Sequence, residues 1–452
     1  MQHDDSLEGE SSCDNKPPPG SSTTVEENSS PQAYVSARSA NIHKSSLSWN
    51  DWRWQIRHRI RTIAELKKLF PSADISGIEE ASSRFPMAIT PYYASLIRTF
   101  DNKDPIFRMS IPQLDELIEL PCLKDDPLEE EDDMPVPGLI HRYPDRALVI
   151  ATTMCSMYCR HCTRKRVAGH RETSLSTSRL QEITAYIEKH TEIKDVIISG
   201  GDPLTMETAV LDRILSAIRN IPSVELIRIG TRVPVVMPMR ITDELVAMLK
   251  KYHPLYINTH FNHPREITSE AVRACEKLAD AGIPLGNQTV LLCGVNDDPK
   301  TMEELCRGLV KMRVKPYYLF QCDLVRGVEH FRTPISRGIE IMEYLRGRLS
   351  GLAIPLFVVD APHGGGKIPI SPNYIVSMSP THTVLRNYEG MLVSYPEPSL
   401  EGKKMKPCEE SAPGVWELAS GRYSKIQPQK TIRHTRRSVK SNTNRPIDGS
   451  LI

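Results

Sequence analysis

Three cysteines fall within eight positions in the string Cys155-Ser-Met-Tyr-Cys159-Arg-His-Cys162. Thiolates bind zinc and iron–sulfur clusters. A four-iron cluster ordinarily takes four of them, so a C-x-x-x-C-x-x-C run can leave one iron open to a further ligand. A zinc site with His161 as its fourth ligand, or three incidental cysteines, are the alternatives. Two more strings carry chemistry. Ser199-Gly200-Gly201-Asp202-Pro203 is a glycine-rich turn of a kind that ordinary loops also use. Asp360-Ala-Pro-His-Gly-Gly-Gly-Lys367 sets a lysine behind three glycines. It is not a P-loop, because Ala361 replaces the first required glycine and Ile368 stands where Ser or Thr should bind magnesium. Glycines let backbone approach a phosphate or a ring closely, and a sequestered lysine can form a Schiff base. A flexible surface loop with a solvated lysine reads equally well.

Each of these strings follows a short apolar run. Such runs lie at 147–153, 195–199, 226–230, 255–259, 285–292 and 315–321, with helical patterns between them at 244–252, 269–281 and 302–312. Strand then helix, repeated about six times, predicts a parallel α/β barrel or a doubly wound sheet. In a barrel the loops at the C-terminal strand ends build the active site, and the cysteines are in such a loop. A further run at 354–359 leads into Gly364, Gly365 and Gly366. His260, His263 and Gln288 lie at predicted strand ends. The histidines read as well as packed core groups and receive no catalytic role.

Outside this core the pattern changes. Residues 1–45 combine Ser, Pro, Glu and Asp with few large apolar side chains and predict an acidic, disordered extension. Residues 46–146 read as a mostly helical region, opening with an amphipathic helix in which Trp52, Ile56, Ile60, Ile63 and Leu66 recur after a capping-type Ser48-x-x-Asp51. Its acidic run, 125–133, reads as a solvated loop. The core then spans 147–365, a lysine-bearing packing segment 366–402, and a basic, polar, disordered tail 403–452.

At 452 residues, 39% hydrophobic and 25% charged, with a formal charge of +1, the chain can bury a full core and calls for no polyanion. It has no basic n-region with an apolar run and no stretch of about 20 apolar residues, so neither a secretory signal nor a membrane span is expected. Ten cysteines, three of them clustered, suit metal binding in the reducing cytoplasm rather than a disulfide framework.

The cysteine triad resembles that of the radical S-adenosylmethionine superfamily, and Ser199, Gly200, Gly201 and Asp202 look like its glycine-rich motif for the methionine amino group. The fold this implies is α/β: a partial parallel (β/α)6 barrel with an N-terminal helical extension. From about residue 89 to 398 the chain resembles the lysine 2,3-aminomutase family. The resemblance rests on strings such as Thr90-Pro91-Tyr92-Tyr93, His141-Arg142-Tyr143-Pro144-Asp145-Arg146, Cys162-Thr163-Arg164, Asn258-Thr259-His260-Phe261-Asn262-His263-Pro264 and Gln321-Cys322-Asp323.

That resemblance implies a set of roles. Cys155, Cys159 and Cys162 hold a 4Fe-4S cluster that cleaves S-adenosylmethionine, Gln288 helps line the S-adenosylmethionine site, and Lys367 binds pyridoxal 5′-phosphate. Arg142 and Arg146 are the candidates for its phosphate, with a structural salt bridge to the acidic run as the alternative. Arg164 takes the substrate carboxylate, and Asp323 with Asp360 receives the terminal ammonium of lysine. The product is β-lysine. Glutamate is disfavoured, because a third carboxylate beside that pair would be repelled; arginine stays open as an alternative substrate. An external one-electron donor of flavodoxin or ferredoxin type is implied. The chain departs from the family where Asp298 and a lone Cys408 replace the cysteines of an intersubunit zinc site, so zinc is not expected and the homo-oligomer is open. A reading of another class, a degenerate iron–sulfur or nucleic-acid binding protein using its basic tail, has the intact site residues against it, and the tail carries no aromatic platform.

Overall fold

In the computed structural model, residues 46–398 are described except 72–74, 168, 170, 363 and 380; the expectations for 1–45 and 403–452 lie outside the described residues. The apolar runs become neighbouring strands in chain order. β1 (Leu139–Tyr143), β2 (Arg146–Thr152), β3 (Asp195–Gly200), β4 (Leu226–Gly230), β5 (Leu255–Thr259), β6 (Leu285–Leu291), β7 (Val314–Gln321), β8 (Leu356–Ala361) and β9 (Gly366–Pro369) form one sheet in that order. Every pairing from β2 to β8 is parallel, and β1 and β9 flank them as antiparallel edges. The sheet curls into an open half-barrel, the α/β architecture expected.

The helices between the strands lie where apolar residues recur at helical spacing. α1 (Thr177–Lys189) buries Leu180, Ile183 and Ile187, and α2 (Thr208–Arg219) buries Leu211, Ile214, Leu215 and Ile218. Side-chain caps fix several starts: Ser176 for α1, Thr268 for α3 (Ser269–Asp280) and Asp298 for α4 (Pro299–Lys311). Asp298, which stands where the family's zinc cysteine would be, is thus engaged as a helix cap. On β2, β3 and β4 the residues alternate between buried, as in Ala147, Val149, Val196, Ile198, Ile227 and Ile229, and half-buried. The half-buried set is the open face of the half-barrel, and Ser199 and Gly230 belong to it.

Four expectations change. The single opening helix is two, Trp52–Arg57 and Ile63–Leu69. Ile60 pairs as a bridge with Ile89, and Thr62 with Glu65 forms a capping box that restarts the helix, so an apolar period continued across a break. The first of the two is capped by Asp51, not Ser48. The end of the supposedly helical region is strand β1, joined to β2 through a tight turn at Pro144 and Asp145. The boundary at 365/366 cuts a hairpin, because Asp360 and Lys367 are opposite one another in the β8–β9 pairing.

The fourth concerns the acidic run. Glu130 and Asp133 are buried, and Lys124 just before the run pairs with the backbone of Leu324 and Arg326 after β7. A run of acids reads as solvated only while its cations are unseen. Here they are Arg142, Arg164 and Arg166.

Candidate active site

The cysteine loop leaves β2 and is fastened to the N-terminal region at successive points. Tyr158 N–H donates to the Ala88 carbonyl at 2.9 Å and Arg160 N–H to that of Met109 at 3.0 Å. The side chain of Arg160, between two cysteines, is fully buried; it forks onto Glu116 at 2.8 and 2.6 Å and reaches the Pro86 carbonyl at 2.9 Å. Glu116 also accepts from Lys165, so one carboxylate locks both sides of Cys162. The three thiols lie close enough to perturb each other. Burial first, then Cys162, Asp202 and Cys159, push the Cys155 thiol well up, and burial with Cys159 pushes Cys162 to about 11. Arg232 donates Nη1–H to Cys159 Sγ at 2.8 Å.

Among the described residues no three His, Cys, Asp or Glu side chains converge as one metal ion would need. The thiolates of a four-iron cluster each bind a different iron, and three thiols on one loop that perturb one another fit that donor set. His161, the alternative zinc ligand, faces the Asn262 amide at 3.2 Å instead, and burial holds it neutral.

The glycine-rich turn has a steric reason. Gly200 has φ +128, and a Cβ there would lie 2.2 Å from the Thr152 carbonyl oxygen; one on Gly201 would lie 2.3 Å from that of Met154. The end of β3 therefore presses against the backbone entering the cysteine loop, with Gly201 N–H donating to Thr152 at 2.6 Å and Asp202 N–H to Met154 at 2.8 Å. The Asp202 carboxylate is used within the protein: it accepts from Thr231 Oγ1 at 2.6 Å, Arg232 N–H at 2.7 Å and Leu204 N–H at 3.1 Å. Gly200→Ala is expected to cost about 1–3 kcal/mol of backbone strain and about as much again in overpacking. Thermal unfolding should register it as a clear fall in Tm, and an unchanged Tm would contradict this packing.

Across the open face, the β7, β8 and β9 ends bring together the residues expected at a substrate ammonium. Lys367 Nζ donates to both Asp360 carboxylate oxygens at 2.9 Å and sits 4.9 Å from the Phe320 ring centre. Asp323 accepts from Thr163 Oγ1 at 2.8 Å, which ties it to the cysteine loop. Burial, and then the Asp360 charge, push the Asp323 carboxyl up to about 7. Asp323 is therefore an acid that gains or loses its proton near neutrality, beside the Asp360–Lys367 ion pair. Tyr143 Oη accepts the Lys367 N–H at 3.2 Å and lies 2.9 Å from where a Cβ on Gly366, at φ +83, would be. The third glycine is required by that contact.

Arg164 forks onto Glu130 at 2.9 and 2.7 Å. Burial opposes ionisation of Glu130, yet the Arg164 guanidinium holds its carboxyl below the usual range. Arg146 lies over the Tyr143 ring, 3.8 Å from its centre, and donates Nη1–H to Asp145 at 3.0 Å. Arg142 points elsewhere, donating Nε–H to Asp133 at 2.6 Å and Nη2–H to the Leu128 carbonyl. Gln288 is half-buried on β6, and its carbonyl faces His260 Nδ1 at 3.2 Å. His263 caps a short helical turn by accepting from Arg265 N–H at 3.1 Å. Sequence reasoning did not single out Glu130, Arg232, Glu266 or Tyr143. Only the string His141–Arg146 held a signal for the last.

Comparisons with known proteins place the chain in a family. Residues 149–306 match the profile of the Radical SAM superfamily and residues 342–448 that of Lysine-2,3-aminomutase. The L-lysine 2,3-aminomutase of Clostridium subterminale is 55% identical over 356 residues, 78% of this chain and 86% of that one. That of Fusobacterium nucleatum is 50% identical over 398 residues, 86% of this chain and 93% of its own. The glutamate 2,3-aminomutase of Clostridioides difficile is 48% identical over 369 residues, 80% of this chain and 87% of its own.

Proposed function

Because the chain belongs to the lysine 2,3-aminomutase family of radical S-adenosylmethionine isomerases, we propose that it moves the 2-amino group of L-lysine to C3, giving β-lysine. A pyridoxal 5′-phosphate on Lys367 and an external electron carrier of flavodoxin or ferredoxin type are part of the proposal. Identity alone does not choose the substrate, since the glutamate enzyme is 48% identical and the first lysine enzyme 55%. The observation that carries lysine is a primary amine already seated on one member of the acid pair: Lys367 Nζ lies 2.9 Å from both oxygens of Asp360, and both groups are near enough to act on the Asp323 carboxyl. A pair of acids that receives one primary ammonium suits another and repels a glutamate side chain.

When bound, the cluster with S-adenosylmethionine supplies the 5′-deoxyadenosyl radical, and pyridoxal phosphate supplies a π-system for the migrating nitrogen. The chain's residues position and seclude. Cys155, Cys159 and Cys162 hold the cluster. The glycines Gly200 and Gly201 bring the β3 end close to the cysteine loop, and Ser199 on the open face is offered to the S-adenosylmethionine amino group, with Asp202 bracing the turn. Gln288 is offered to the same ligand. Arg164, held flat by Glu130 through Nε and Nη2, keeps Nη1 for the substrate carboxylate. Thr163 aligns Asp323 for the substrate ammonium, and Lys367, whose amine rests on Asp360, would carry the cofactor. Of the two phosphate candidates Arg146 is the better supported, because it stacks on the tyrosine that touches Lys367 and its own acid, Asp145, is exposed, whereas Arg142 is held by the buried Asp133.

A cytoplasmic setting is proposed on the thiols, since all eight described cysteines are free. No helix among the described residues is long and apolar enough to cross a membrane. The test is an anaerobic assay of the reconstituted protein with S-adenosylmethionine, pyridoxal phosphate and reductant, comparing lysine, arginine and glutamate. The expected product is β-lysine from lysine only. Turnover of arginine but not lysine would overturn the substrate, an undiminished rate without pyridoxal phosphate would overturn that cofactor, and no β-amino product from any of the three would overturn the aminomutase reading.

A further inference from the structure

Arg232 emerges at the C-terminal end of β4, its backbone held by Asp202 at 2.7 Å and its guanidinium almost fully buried, with 7% of the side chain exposed. Two of its nitrogens have separate partners. Nη1 donates to Cys159 Sγ at 2.8 Å, and Nη2 donates to Glu266 Oε1 at 2.7 Å. Glu266 is wholly buried, and its other oxygen accepts the N–H groups of Asn262 at 2.6 Å and His263 at 3.0 Å. Tyr93 Oη donates to the same Oε1 at 2.7 Å. Cys159, Arg232 and Glu266 therefore form a chain of a half-buried sulfur, a buried cation and a fully buried anion.

We propose that Arg232 sets the reduction potential of the cluster through its N–H···Sγ bond to Cys159, and that Glu266 is the counter-charge that limits the effect. The inference rests on the reading of the three cysteines as cluster ligands. Reduction adds one negative charge, shared between iron and sulfur. A donor and a positive charge at a ligand sulfur stabilise the reduced form, and an anion behind that cation takes part of the stabilisation away. Both groups act in a poorly screened interior, so neither effect is averaged out by solvent. Arg232 and Glu266 are positioning residues, acting on the chemistry only through Cys159.

The test is a redox titration of the reconstituted protein without S-adenosylmethionine, following the electron paramagnetic resonance signal of the reduced cluster. Glu266→Gln should raise the potential, because the cation loses its counter-charge. Arg232→Gln combined with Glu266→Gln should lower it, and Arg232→Lys, which keeps the charge but loses the fork, should fall between wild type and the double variant. The expected size is a several-fold to tenfold change in the reduced-to-oxidised ratio at fixed poise, tenfold being 59 mV for a one-electron couple. A merely structural role would lower Tm in each variant without moving the potentials in opposite directions. Reduced-to-oxidised ratios all within about twofold of wild type at the same poise, or potentials all displaced the same way, would overturn the inference while leaving the cluster reading intact. A wild type that yields no reduced-cluster signal would overturn the cluster reading itself. If the double variant fails to fold, opposite displacements in Glu266→Gln and Arg232→Lys still support the inference, and parallel ones overturn it.

Discussion

Asp323→Asn is expected to lower kcat/KM for lysine by about 30- to 4,000-fold, the equivalent of about 2–5 kcal/mol for truncating one member of a buried charge pair. The same variant should alter the pH profile. In the resting protein burial and Asp360 hold the Asp323 carboxyl up to about 7, so below that pH a substrate ammonium has to displace a proton. Wild-type kcat/KM should therefore rise about tenfold per pH unit up to about 7 and level off above it, and the Asp323→Asn substitution should erase that limb. The sign for stability is opposite. A carboxyl whose folded pKa lies above its unfolded value of 3.8 contributes stability at low pH that is lost as pH rises through about 7. At pH 8 the empty Asp323→Asn protein should thus melt no lower than wild type, and higher if the new amide keeps the Thr163 bond. Lysine kinetics and Tm measured from about pH 5.5 to about pH 8.5, a range that brackets the folded value, check both. A full-strength pH limb in the variant would remove Asp323 from the ammonium site.

Lys367→Arg and Lys367→Ala are expected to abolish β-lysine formation, by more than about 10³-fold, because neither side chain can form the covalent bond to an aldehyde cofactor. The pair separates chemistry from electrostatics. Arginine preserves a cation for Asp360, so its Tm should stay near wild type. Alanine leaves Asp360, whose side chain is 8% exposed, without its partner and should lower Tm. The loss is a fraction of the about 3–5 kcal/mol seen for fully buried pairs, since the Lys367 side chain is 35% exposed. Product analysis, calorimetry and the visible absorbance of protein passed through gel filtration after incubation with pyridoxal phosphate measure the three effects. Retained visible absorbance in Lys367→Ala would move the cofactor to another amine.

Much of the core was readable because its signals are local. Strands β4 and β5 begin and end where the apolar runs do, and helices such as Ser269–Asp280 follow a cap residue and a period of 3.6. The N-terminal region misled for a related reason: Ile56, Ile60 and Ile63 continue a helical period through a bridge to Ile89, and period alone cannot report that the backbone has left the helix. The acidic run misled because the composition of a segment does not reveal its partners.

By itself the sequence determined the alternation of strands and helices, the three strings that carry chemistry and the place of each at a strand end, since strand–helix alternation and glycine turns are short-range patterns; the sequential order of the strands in the sheet came from the structure. Only the tertiary structure decided what those strings touch. Arg164 meets Glu130 across 34 positions and Arg232 meets Cys159 across 73. Even Asp360 and Lys367, seven residues apart, meet because β8 and β9 pair in one register. Long-range charge pairing depends on how the half-barrel curls and which side chains lose water together. No period, cap or turn preference encodes that.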